Sequence, residues 1–161
     1  MTRAVRKVVG EDYPILLRFS QWKQQDFTAR LAQTPKELEI FLGPLIDAGV
    51  DIFHCSTRRF WEPEFDGSDL NLAGWTKKLS GLPTMSVGSV SLNMDFVTGF
   101  AKAGAEVSGI DTLIEMMDRG DFDLIAVGRA LIANPDWANK VRAGKLNELR
   151  PYTPEILAEL V

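Results

Sequence analysis

Short, nearly continuous apolar runs alternate four times with stretches of helical periodicity along this chain, and that alternation limits the fold more than any other feature. The runs are Pro14–Phe19, Val50–Cys55, Pro83–Val87 and Phe122–Val127. Each reads as a strand buried on both faces. A helix is predicted from Thr34, where Thr34 and Glu37 form a capping box and Pro35 takes the first helical position. Leu38, Phe41, Leu42, Leu45 and Ile46 continue it at helical spacing, Gly43-Pro44 marks a kink and Gly49 ends it. A weaker helix is expected around Trp75–Leu79. A second amphipathic one uses Ile110, Leu113, Ile114 and Met117, with Gly120 just past its end. A short helix follows over Arg129–Ile132, and another restarts with Asn134 as N-cap and Pro135 at its first position. Arg3–Val9 reads as the end of a helix packed beside the first strand. Met94, Val97, Phe100 and Ala101 suggest a short helix inside the long segment 89–108.

Strands alternating with helices mean a parallel sheet. No repeat, low-complexity tract or linker divides the chain, so residues 1–161 read as one domain. A complete TIM-type (β/α)8 barrel takes about 250 residues, and this chain has 161. Four units are therefore either a small open sheet or half of a closed barrel. Composition narrows the function. Hydrophobic residues make up 45% and charged residues 25%, ordinary for a globular protein. A net charge of −4 gives no basic face for nucleic acid or an anionic membrane. One cysteine and one histidine exclude an internal disulfide and a thiolate or histidine metal cluster. No apolar run is long enough to span a bilayer, and no apolar stretch follows the basic N-terminus as a signal peptide requires. The expected compartment is the cytoplasm.

Two strand ends share a form, Val87-Gly88-Ser89 and Val127-Gly128-Arg129. Glycine there lets the backbone approach a ligand and turns N–H groups inward. After Gly128 a helix starts at once, so its unpaired N–H groups face the same place, and Arg129 adds a fork suited to phosphate. For either glycine alone an ordinary corner suffices; the pair with Arg129 points to a phosphate cup. Arg18 interrupts an apolar strand, which requires either a structural ion pair or a cation at the ligand-facing end. His54 and Cys55 read as a hydrogen-bonded core residue and a small buried filler. The loop Arg58–Phe65 is aromatic and charged; it either lines a pocket or covers the end of the sheet.

These residues together resemble the Old Yellow Enzyme family of NADH:flavin oxidoreductases over essentially the whole chain. Leu17-Arg18-Phe19-Ser20 with Trp22 is similar to the family's fifth barrel strand. Asp47-Ala48-Gly49-Val50-Asp51 is similar to the step into the sixth, and Val87-Gly88-Ser89 to the end of the seventh. The run from Val127 to Trp137 resembles the eighth and is the most specific of these signals. The resemblance implies a C-terminal half-barrel with FMN at the C-terminal mouth. Arg18 would sit by the N1/C2 edge of the ring as a stabilising cation. Gly88, Ser89, Gly128 and Arg129 would hold the phosphate, and Phe60 and Trp61 would approach the ring or substrate. In the intact family NAD(P)H reduces the flavin, which then reduces an activated alkene.

The family's first four strands have no counterpart here, and with them go its substrate-binding pair and its proton-donor tyrosine. Tyr13 and Tyr152 are the only tyrosines and neither stands in that context. The chain alone is thus expected to be incomplete and inactive, with exposed interior side chains and two open sheet edges. A homo-oligomer or a complementary N-terminal half would cover them. The alternatives are a non-catalytic module that binds FMN or another phosphorylated ligand, and a folded relic that only oligomerises.

Overall fold

A computed structural model describes residues 1–23, 25–95 and 104–159. Helix α1 (Thr2–Val9) leads into β1 (Leu16–Ser20), α2 (Pro35–Ile46), β2 (Ile52–Ser56), α3 (Leu72–Ser80) and β3 (Thr84–Val87). Then come α4 (Asp111–Asp118), β4 (Leu124–Ala126), α5 (Arg129–Ala133) and α6 (Trp137–Arg142), with two 3-10 turns in the tail. The four strands form one parallel sheet in the order β1-β2-β3-β4. This is the expected parallel sheet of alternating units. The residues expected to make a helix within 89–108 include Val97, Phe100 and Ala101, which lie outside the described residues.

Register decides which face each side chain takes. Arg18, His54, Met85 and Leu124 are aligned across the sheet, as are Phe19, Cys55, Ser86 and Ile125. Residues in register share a face of the pleat. The Phe19–Cys55–Ser86 face lies under the helices and holds the core, with Phe53, Leu38, Leu42 and Leu72 fully buried. The opposite face is uncovered: Leu16 and Leu124 are 43% and 44% exposed, and Arg18 is exposed as well. The apolar runs implied strands buried on both faces; only one face is covered among the described residues.

Several helix ends follow the sequence and others depart from it. Thr34 Oγ1 accepts from Glu37 N–H, but the Glu37 carboxylate accepts from Gln33 N–H at 2.6 Å rather than from Thr34. Pro44 sits in the last turn of α2 without ending it, because the carbonyl it leaves unpaired belongs to exposed Ile40. In α4 the buried face is Ile110, Leu113 and Met116, while Ile114 and Met117 are exposed. Asn134 does not cap α6: its amide accepts from Arg150 N–H at 2.8 Å and donates to Arg150 O at 3.0 Å, tying down the tail. Helix α1 buries none of its residues and is held mainly by Arg6, which donates to Gly49 O and Tyr13 O at 2.6 Å and pairs with Asp51.

A device recurs at the foot of the sheet. Asp51, before β2, accepts Ile15 N–H at 2.6 Å and pairs with Arg6. Asp123, before β4, accepts Thr84 N–H at 2.9 Å and pairs with Lys77 at 2.9 Å. Each carboxylate satisfies a backbone donor at the start of the neighbouring strand and anchors a helix. The N–H of Ile15 and the Arg6 guanidinium hold Asp51 below the usual carboxylate range against burial. Burial raises Asp123, but Lys77 and Thr84 N–H prevail and hold it down. Both anchors lie at the N-terminal ends of the strands, the end that serves stability in such folds.

Candidate functional site

The C-terminal ends of all four strands open onto one cleft of about 590 Å3. Arg18, Gly88, Ser89, Gly128 and Arg129 all line it, so the structure brings together the cation in β1 and both glycine corners. Arg18 reaches along the sheet, its Nη2 donating to Ser56 Oγ at 3.0 Å. Arg129 begins α5 and is nearly buried. Its Nη2 donates to Met94 O at 2.6 Å, and its guanidinium carbon lies 5.7 Å from the centroid of the Tyr152 ring. Burial pushes the Arg129 pKa down, while Tyr152 and Asp95 oppose that shift.

The two glycine corners differ. At Gly88 φ is +147°, and an added Cβ would lie 2.6 Å from Thr57 O. The loop after β2 crosses here, with Thr57 N–H donating to Val87 O and Phe60 N–H to Gly88 O, both at 3.1 Å. Glycine at 88 is thus required by the neighbouring loop. At Gly128 an added Cβ meets nothing within 4 Å, and the space beside it belongs to the cleft. The backbone donors that open α5 have no partner within their own helix, as at any helix start. Ser89 adopts a left-handed φ of +53°. Its hydroxyl lies 3.0 Å from the carbonyls of Arg58 and Met94, so the side chain braces the loops and leaves the backbone as the part of Ser89 available to a ligand.

Phe60 and Trp61 do not reach the cleft. Phe60 is buried and packs edge-on against Trp61 at 5.0 Å between centroids, and neither lines the cavity. The aromatic loop folds back because Asn71, fully buried, donates to Phe60 O at 2.6 Å. His54 does line the cleft, in register with Arg18. Its Nε2 is buried without a partner among the described residues. Burial first, and then Arg18, push its pKa down, so the ring is neutral at neutral pH. Cys55 faces the core, and burial pushes its thiol up to about 12, in keeping with an inert filler.

Sequence reasoning left out Ser56 and Thr57, which line the cleft together with Arg58, the first residue of the aromatic and charged loop. Their position at the end of an apolar strand run is the available signal. No group of metal-ligating side chains occurs among the described residues, nor any helix long and apolar enough to cross a membrane.

Four parallel βα units in an open sheet, with the cleft over the C-terminal strand ends, define a partial (β/α)8 barrel. No family model matches the chain. It is 31% identical over 156 residues to an NADH oxidase from Thermoanaerobacter brockii, covering 92% of this chain and 21% of that protein. It is 32% identical over 146 residues to an NADH:fumarate oxidoreductase from Klebsiella pneumoniae (strain 342), covering 80% of this chain and 14% of that one. In three dimensions it matches the old yellow enzyme homologue from Zymomonas mobilis with a TM-score of 0.63 at 17% identity, over 96% of this chain and 38% of that one. The chain is thus a relative of NADH-linked oxidoreductases with the fold of a partial Old Yellow Enzyme-type barrel, as the motifs implied. It spans well under half the length of each of these proteins.

Proposed function

We propose that residues 1–161 form a single half-barrel domain, equivalent to strands five to eight of the family, that supplies the FMN-holding half of an NAD(P)H:flavin oxidoreductase. The observation that carries this reading is the cleft in which Arg18, Gly88, Ser89, Gly128 and Arg129 converge from three strand ends. A volume of about 590 Å3 lies within the usual range for cofactor sites. The donor set fits the group: Arg129 and the backbone at Gly128 and Gly88 for a phosphate, and Arg18 for the electron-rich edge of the ring. When bound, FMN would supply two-electron transfer between a nicotinamide and an acceptor. This chain's own residues bind and orient it. Arg18, held against Ser56, stabilises negative charge on the ring, and neutral His54 beside it adds no second positive charge.

The groups that activate a substrate in the family belong to strands this chain does not contain. Turnover therefore requires those strands, from a longer polypeptide or a partner chain. The test is a titration of the purified chain with FMN, read by flavin fluorescence, with mass by light scattering in the same buffer. Saturable binding is expected. No binding at high micromolar FMN would mean that the cleft is ancestral form without a working cofactor site.

A further inference from the structure

The walls of the cleft carry a one-sided set of charges. Arg18, Arg58 and Arg129 line it, and among the described residues no aspartate or glutamate does, although the chain as a whole is acidic. Arg18 and Arg129 are accounted for by the cofactor reading; Arg58 is not. It follows β2 by two residues, above the strand that lies between Arg18 in β1 and Gly88 after β3. Its guanidinium is fixed from two sides. Nη2 donates to the buried Asp95 carboxylate at 3.1 Å, and the guanidinium carbon lies 4.4 Å from the centroid of the Phe27 ring. The side chain remains 31% exposed. Asp95 meets the guanidinium through Nη2, and Nε is buried without a partner among the described residues. Trp22 also lines the cleft and packs on the same Phe27 ring at 5.4 Å between centroids, and its indole N–H is buried without an acceptor among the described residues. Buried donors without acceptors are rare in folded proteins and each needs a reason. A solvated surface arginine has neither a buried carboxylate nor a ring to hold it. One fixed in this way, with donors remaining, is preorganised for planar oxyanion recognition.

We propose that Arg58, with Trp22 beside it, is a recognition site for the oxyanion of a second ligand that shares the cleft with the phosphate-bearing cofactor. That oxyanion is a carboxylate or a phosphoanhydride, the first carried by a reducible acid and the second by a dinucleotide. Asp95 and the Phe27 ring set the orientation of the guanidinium, and the exposed part of the side chain meets the ligand. That the ligand is a second one rests on the cofactor reading; the anion site itself stands on Arg58 and Trp22.

The experiment is calorimetric titration of the full chain with inorganic pyrophosphate in one arm and succinate in the other, each with and without saturating FMN. Saturable binding is expected in at least one arm, and it should persist with FMN present. Pyrophosphate alone would identify the dinucleotide as the source, succinate alone the acid. Losing a charge-assisted fork should weaken binding about tenfold or more in Arg58→Met. Arg58→Met/Asp95→Asn should show the same loss and removes the buried negative charge should the single variant fold poorly. Arg59→Met is the control, because Arg59 pairs with Glu62 and does not line the cleft. Binding in neither arm, unchanged affinity in the Arg58 variants, or an equal loss in Arg59→Met overturns the proposal. If FMN fails to bind while Arg58-dependent anion binding remains, the cofactor reading falls and the anion site stands.

Discussion

A methyl group added at Gly88 would lie 2.6 Å from the Thr57 carbonyl in a backbone with φ of +147°, whereas one added at Gly128 meets nothing within 4 Å. Gly88→Ala should therefore cost about 1–3 kcal/mol of folding stability, from strain and steric conflict together, measured by urea unfolding. Gly128→Ala should cost less stability than Gly88→Ala and weaken FMN binding, since the added Cβ meets only cleft space. A loss as large as that of Gly88→Ala would mean that this corner too is a structural requirement. Arg129→Ala should weaken FMN or phosphate binding by about 1–3 kcal/mol, the worth of a charge-assisted hydrogen-bonding group; unchanged binding would remove Arg129 from the phosphate cup. His54 gives a pH signature that is easy to assign, because it is the only histidine. Burial and the Arg18 charge hold its folded pKa below the ordinary value of about 6.5. As pH falls through that value the unfolded chain takes up the proton first. Stability tied to His54 is thus full above it and lost on the acid side. Glu64, which burial pushes up, acts with the opposite sign, so the effect is read as a difference. His54→Gln should flatten the loss of stability just below pH 6.5 relative to the parent, and identical slopes would show that His54 is as solvated folded as unfolded.

Among the elements, the strands and the α2 N-terminus were legible because their signals are local: an apolar run between turns, and a Thr-Pro start. Helix α3 shows where locality fails. Its pattern suggested a weak helix around Trp75, yet it runs from Leu72 to Ser80. Asn71 caps it by accepting Gly74 N–H at 2.8 Å. The same amide donates to Phe60 O at 2.6 Å and Ser86 Oγ at 3.2 Å, tying loop, helix and strand together. Those partners are distant in sequence, so no periodicity reveals them. For the same reason the sequence places Phe60 in the aromatic loop but not away from the cleft, and Asn134 reads as a cap although Arg150 occupies its amide. Asn71→Ala removes a cap and strands buried groups at once, which should cost about 2–3 kcal/mol. It should also loosen the loop that carries Arg58. Urea unfolding gives the first effect, and proteolysis within residues 57–71 the second. A cost near that of a surface cap alone would show that the buried bonds add little.

At the scale of the whole molecule, the mismatch between strand composition and coverage is the informative fact. Leu16, Ile52, Met85 and Leu124 belong to runs that read as buried on both faces, yet they share the face that no described element covers. Apolar surface of this kind favours a partner. Its chemistry discriminates between the two partners considered. The uncovered face carries Arg18 and His54 and no carboxylate, since its other strand positions are Leu16, Ser20, Ile52, Ser56, Met85, Val87, Leu124 and Ala126. A two-fold contact would set that layer against its own copy, cation towards cation, with nothing to neutralise either. A complementary half of different sequence has no such penalty and can offer acceptors to Arg18 and His54. Self-association through this face should accordingly be weak at low ionic strength and strengthen with salt, as screening removes the repulsion while the apolar contact remains. Arg18→Met should make the chain associate even at low salt. Light scattering across a salt series on both proteins checks this. A stable dimer at low salt, indifferent to Arg18, would mean that a second copy covers the sheet by a packing that keeps Arg18 apart, and the argument for a dissimilar half would fall with it.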